Sequence, residues 1–214
     1  MISTVTEYVQ KDPQLALYAE HMNMLMIEND STLAEFKLSI SQKYKRHRPR
    51  LLILLGNPAL LMRDEYRELW GDIPIVLCSE ENYLGPQETY TKKQAIATAD
   101  RTPLTQLADP YNMVLLYSNL YLDENIQLIC HIVPEIKKFI FIGDARQINQ
   151  TNNLDIRNKL KKTHPNVEYQ FITPQDMTTN QLLDSLYFVD PKTTGVLFSS
   201  WFYKTTFAGN TSLV

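Results

Sequence analysis

The chain of 214 residues carries 21 basic and 24 acidic side chains, a formal net charge of −3, with 44% hydrophobic and 21% charged residues. This is the composition of an ordinary globular protein with room for one large domain or two small ones. The slight acidic balance argues against nucleic acid as the main partner, since phosphate binding shows as a basic surplus, and no apolar run is long enough to span a membrane.

Ile2, Val5, Tyr8 and Val9 have helical spacing, and Asp12-Pro13 ends that predicted helix. Residues 15–19 read as a strand leading into Glu20-His21-Met22-Asn23-Met24. Thr32 and Glu35 have capping-box spacing, and the helix they open carries Leu33, Phe36, Ile40 and Tyr44 on one face. Lys43, Lys45, Arg46, Arg48 and Arg50 form the one basic stretch, read as a solvated helix end favoured by the helix dipole. A wholly apolar run at 51–55 stops at Gly56, and Asn57-Pro58 starts a helix running to Trp70, with proline where a missing N–H costs nothing. Gly71 breaks that helix, and 73–78 is the next strand.

The first eighty residues thus read α-β-α-β-α-β, an alternation that implies a parallel sheet. From Ser79 to Asn112 the periodicity is lost among the turn signals Gly85-Pro86, Pro103 and Asp109-Pro110, so this stretch reads as a long loop with one helix at most, leading to a second lobe. A helix through Ile126, Leu128, Ile129 and Ile132 ends at Pro134, and a strand at 139–143 follows. After it come a helix at 154–162, a strand at 167–172, a helix at 180–189 and a strand at 195–200. The apolar runs have no polar face, which suits strands covered by helices on both sides. The expected organisation is a first α/β lobe over 1–112 and the start of a second over 113–214.

Cys78 and Cys130 lie in apolar runs without metal-site spacing and read as buried free thiols. Met1 is not followed by the basic and apolar regions of a secretory signal, which fits either a cytoplasmic chain or one that starts after its signal. A helix where a strand should open the lobe, and a final stretch without a closing helix, read as a piece cut at both ends.

Several phrases resemble a known family. Pro134-Glu135-Ile136-Lys137-Lys138-Phe139-Ile140-Phe141-Ile142-Gly143-Asp144 and the stretch from Leu51 to Cys78 are similar to type I periplasmic-binding-protein folds of the ABC-transporter substrate-binding-like kind. Glu20-His21-Met22-Asn23, Pro74-Ile75-Val76-Leu77-Cys78 and Gly195-Val196-Leu197-Phe198-Ser199-Ser200-Trp201 resemble extracytoplasmic sensor domains of hybrid two-component histidine kinases of Bacteroides-like bacteria. The resemblance implies an α/β fold of two doubly wound parallel-sheet lobes around a cleft, closing on a ligand. It also implies a periplasmic location, with a membrane helix and kinase in segments absent from this chain. Two departures stand out: the first strand of the first lobe is missing, and so is the second lobe beyond about Trp201. Loss of a central strand would leave a gap in the ladder, and an open edge invites a second copy, so a homodimer is expected.

Ligands of open α/β sheets sit beyond the carboxyl ends of strands. This points to Glu20, His21, Asn57, Ser79, Glu80 and Tyr83 in the first lobe and to Asp144, Arg146, Ser200 and Trp201 in the second. The set suits a small polar ligand held between lobes. A catalytic reading finds no support: Glu20 and His21 directly follow a predicted strand and, as neighbours in extended chain, would face opposite ways, and Ser199-Ser200 lacks a nucleophile elbow. Gly143-Asp144-Ala145-Arg146 lacks the glycines of a phosphate loop or dinucleotide fingerprint, so no cofactor is implied. The expected function is ligand sensing, not catalysis, with a small molecule or a soluble protein as partner. A transporter's solute-binding protein stands second, and a small hydrolase or transferase third.

Overall fold

The computed structural model describes residues 2–202, 204–207 and 210–213, with side chains described for 4–108 and 110–202. In chain order the first elements are α1 (Ile2–Gln10), α2 (Asp30–Tyr44), β1 (Leu52–Leu55), a 3-10 turn (Asn57–Met62), α3 (Arg63–Trp70) and β2 (Ile75–Ser79). Then follow β3 (Tyr83–Leu84), α4 (Gln87–Thr91), β4 (Thr102–Pro103), α5 (Leu104–Ala108) and β5 (Met113–Tyr117). The remainder is α6 (Leu122–Ile132), β6 (Lys138–Ile142), α7 (Gln147–Thr163), β7 (Glu168–Ile172), α8 (Thr179–Tyr187), β8 (Thr194–Phe198), β9 (Lys204–Phe207) and β10 (Asn210–Leu213). The fold is α/β, built on two parallel three-stranded sheets, β1-β2-β5 and β7-β6-β8.

Four expectations are corrected in the first half. The capping box lies three residues earlier: Asn29 Oδ1 accepts the Thr32 N–H at 2.9 Å, and Thr32 Oγ1 accepts the Asn29 N–H at 3.3 Å. Asparagine outranks threonine as an N-cap, so the helix starts at the stronger cap and Glu35 lies inside it. Residues 15–19 form no strand, and Leu15, Leu17 and Tyr18 are exposed. A single strand is stable only if a ladder receives it, and no described sheet edge pairs with this one. The expected gap does not exist either, because β1 pairs directly with β2 from Leu52↔Ile75 to Leu55↔Cys78. Finally, β5 pairs with β2, Ile75↔Met113 through Ser79↔Tyr117, so residues 113–117 belong to the first sheet rather than to a second lobe opening at 113.

The first sheet packs one face on the helices. Leu54, Ile75 and Leu77 meet Leu33 and Ile40 of α2, Leu60 to Met62 of the 3-10 turn, and Tyr66 and Trp70 of α3. Its other face is not doubly wound among the described residues. Ile53, Val76 and Val114 align in one row, and Leu55, Cys78 and Leu116 in the next. Val114 is 59% and Leu116 54% exposed. An apolar face of this kind binds apolar probes. Replacing Val114 and Leu116 together by lysine is expected to cut the binding of an apolar fluorescent dye by about half. The unfolding free energy should change by no more than about 0.5 kcal/mol per site, as for other exposed positions.

The second sheet is covered on both faces. Ile126 of α6 and Ile156 and Leu160 of α7 pack on Phe139 and Phe141. Leu182 of α8 packs on Ile140, Ile142 and Ile172. Gly195 lets α6 approach β8, since a Cβ there would stand 2.3 Å from Ile129 Cγ2.

Candidate functional site

The carboxyl edge of the first sheet is organised by Asn57, which is 2% exposed. Gly56 leaves β1 with φ +84°, a value that glycine adopts freely, and swings Asn57 under the loop after β2. Asn57 Nδ2 donates to the carbonyls of Glu81, at 3.2 Å, and Tyr83. Asn57 Oδ1 accepts the Ser79 hydroxyl, and Ser79 Oγ accepts the Glu81 N–H at 3.1 Å. The loop therefore continues the alternation of β2, in which Ile75, Leu77 and Ser79 are buried. Glu81 turns inward on that same face and is 7% exposed, accepting the Tyr83 hydroxyl at 2.7 Å. Glu80 points out and is exposed, so the inward carboxyl is Glu81 in its place. The period-two pattern through Ile75, Leu77 and Ser79 carried the signal for this choice.

The carboxyl edge of the second sheet is centred on Asp144, which is fully buried. It accepts the Arg146 N–H and Nε at 2.9 Å, Arg146 Nη2 at 2.8 Å, Asn149 Nδ2 at 2.9 Å and the Ser200 hydroxyl at 2.7 Å. Burial by itself raises the proton affinity of this carboxyl. The bonds from Arg146, Ser200 and the Arg146 N–H outweigh it and hold Asp144 below the usual aspartate range. Arg146 keeps partial exposure, with its guanidinium carbon 5.1 Å from the centre of the Phe202 ring. Trp201 leans away from this cluster and donates its Nε1 to Thr179 Oγ1 at 3.0 Å. Asn149 was not foreseen because its helix was expected to begin only at 154. The run from Gln147 to Asn153 has too few apolar residues to show a helical period, yet it forms the first two turns of α7.

The two edges meet through α7. Gln147, Thr151 and Asp155 recur every four residues and share one helix face. The Gln147 side chain lies near enough to the Glu81 carboxyl to favour its charged form, and it donates to Thr151 Oγ1 at 2.7 Å. Thr151 Oγ1 accepts the Ile96 N–H at 2.9 Å. Asp155 takes Arg101 Nη2 at 2.8 and 2.9 Å, and the Arg101 guanidinium stands 4.6 Å from the centre of the Tyr83 ring. Ser79, Asn57, Tyr83 and Glu81 are thereby gathered on one side of a polar junction, with Gln147, Thr151 and Asp155 on the other. Asp144, Arg146 and Ser200 lie where β6 leads into α7 and where β8 ends.

Glu20 and His21 are not part of it. Without a strand at 15–19 they have no strand end to occupy. Glu20 instead accepts Lys43 Nζ at 2.5 Å and the Tyr44 hydroxyl, and His21 is exposed. Lys43 and Tyr44, more than burial opposes, hold the Glu20 carboxyl below its usual range. The cysteines are free and half-buried. Among the described residues no three His, Cys, Asp or Glu side chains cluster so as to hold a metal ion, and no helix is long and apolar enough to cross a membrane.

No protein-family model, no curated protein and no solved structure matches this chain.

Proposed function

We propose that this chain is the ligand-sensing part of an extracytoplasmic sensor of a two-component histidine kinase, of type I periplasmic-binding-protein-like architecture. The observation that carries the reading is the apposition of two parallel sheets whose carboxyl ends are lined with buried polar side chains and joined by one face of α7. In open α/β sheets that edge is where ligands bind. Asn57, Ser79, Glu81 and Tyr83 on one side, and Asp144, Arg146, Phe202 and Ser200 on the other, offer donors, acceptors and two aromatic faces to a small polar ligand. Sensing follows if the ligand favours closure of the junction over its open form, because only a difference in affinity moves such an equilibrium. A periplasmic setting, a dimeric receptor and a membrane helix beyond this chain belong to the same proposal.

A thermal-shift screen against sugars, amino acids, nucleosides and glycan fragments tests it. A ligand present at 100 times its Kd stabilises the folded state by about 2.7 kcal/mol. The expected result is a hit whose affinity falls at least about tenfold in both Tyr83→Phe and Arg146→Ala. A hit indifferent to both variants, or no hit in any class, would overturn the small-ligand reading.

A further inference from the structure

Three carboxylates line the junction region, and two of them have a guanidinium in contact: Asp144 with Arg146 and Asp155 with Arg101, each at 2.8 Å. Glu81 has none. Its carboxylate is bonded by one neutral group, the Tyr83 hydroxyl, with the Gln147 amide nearby. A buried carboxylate without a cation is costly, and it escapes that cost by taking up a proton.

The surroundings of Glu81 come from both halves. Tyr83, Tyr90 and Arg101 face it from the 79–101 segment, and Gln147 and Asp155 face it from α7. Only the first set stays beside it if the halves part. Opening would return water to the carboxyl and remove the negative charge of Asp155.

We infer that closure of the junction is proton-linked through Glu81, the closed form holding this side chain as the neutral acid and its ionisation favouring the open form. The inference rests on the closure reading above and adds its regulation. Burial is the largest influence on Glu81 and raises its proton affinity; Tyr83, Arg101 and Gln147 pull the other way without cancelling it, and Asp155 adds to the rise. Tyr83 and Tyr90 are themselves pushed well above the usual phenol range, chiefly by burial, and stay neutral throughout; Tyr83 donates to Glu81, while the Tyr90 hydroxyl accepts the Gly85 N–H. Gln147 can serve either state, because an amide donates to a carboxylate through its N–H and accepts from a carboxylic acid through its C=O. The sign follows from the closed form having the higher proton affinity. The contribution to closure is complete below the ordinary carboxylate range and is lost as pH rises from there through the raised value of the closed form.

The Ile96 amide reports the junction, since its hydrogen bond crosses to Thr151. Hydrogen exchange of this amide, corrected for the intrinsic pH dependence of exchange, measures opening in the intact chain. In the wild type its protection is expected to fall by up to about tenfold per pH unit within the window set by one proton. In Glu81→Gln, which keeps the shape and cannot ionise, protection should be flat. The carbon-detected titration of Glu81 in the wild type, which needs no variant to fold, should have its midpoint above the ordinary glutamate range. An ordinary midpoint, or a pH dependence that survives in Glu81→Gln, would overturn the inference. If Ile96 opens locally but independently of pH, proton linkage alone is lost. If Ile96 exchanges as slowly as Ile140 of the central strand at every pH, the junction opens only on unfolding, and closure itself fails as a mechanism.

Discussion

Replacing Asp144 by alanine is expected to lower the free energy of unfolding by about 2–4 kcal/mol, read from urea denaturation at pH 7. Breaking a fully buried ion pair typically costs about 3–5 kcal/mol, because the remaining charge is stranded. Here Arg146 is 37% exposed and can turn to water, which trims that figure. Asn149 and Ser200 cannot escape in the same way: both are buried, and both give Asp144 a hydrogen bond. The effect should also depend on pH in one direction. Asp144 is held below the usual aspartate value of about 3.9. Its contribution is therefore complete above that value and is lost as pH falls through the depressed one. The gap between wild type and variant should be full at pH 6 and should shrink on acidification. A gap that widens on acidification, or one below about 0.5 kcal/mol at pH 7 as at an ordinary surface site, would remove Asp144 as the keystone of this edge.

The second large effect is expected at Phe139. This side chain is fully buried at the centre of the second sheet, touching the α6 and α7 face and lying 6.5 Å, centre to centre, from the Tyr169 ring. Truncating a core phenylalanine to alanine costs about 3–5 kcal/mol, from lost transfer energy plus the cavity left behind. The two tryptophans separate the halves spectroscopically. Trp70 is buried in the first core, stacked on Tyr66 at 5.7 Å, while Trp201 packs at the margin of the second. In versions keeping one tryptophan each, Phe139→Ala should move the Trp201 transition strongly to lower urea. The Trp70 transition should follow only as far as the junction couples the two cores. A loss under about 1 kcal/mol at Trp201 would mean that the second core collapses around the vacancy and that Phe139 is not its centre.

Most of the parallel strands were legible because they are short apolar runs closed by glycine, serine or a polar turn, and burial on a sheet leaves little else such runs can do; the strand at 113–117 was not read as one. The strand at 113–117 shows the limit of that signal. Met113-Val114-Leu115-Leu116-Tyr117 is as apolar as its neighbours, but its place beside β2 is a fact about pairing, invisible in one segment taken alone. Leu15, Leu17 and Tyr18 make the complementary error: the alternation is present, and no ladder receives it. Among the candidate residues, Asn57, Ser79, Asp144 and Ser200 stand where one rule places them, at the ends of strands. Glu80 faces out and Glu81 faces in because facing is decided by parity and by the Asn57–Ser79 bonds that hold the turn. Asn149, Thr151 and Asp155 were beyond reach, since their helix begins in a stretch without apolar periodicity and each has a partner, Ser200, Ile96 or Arg101, more than fifty residues away.

What the amino-acid sequence by itself determined is therefore local. It located most of the strands and helices by their apolar period, the run at 15–19 excepted, and with them the polar residues that stand at those strand ends. The tertiary structure alone decided which strand is whose neighbour, which face of the first sheet stays open among the described residues, and which carboxyl turns inward without a guanidinium bonded to it. Those outcomes depend largely on hydrogen bonds and charges brought together across long stretches of chain, from Asn57 to the 79–83 turn and from 96–101 to α7, which no short window of sequence contains.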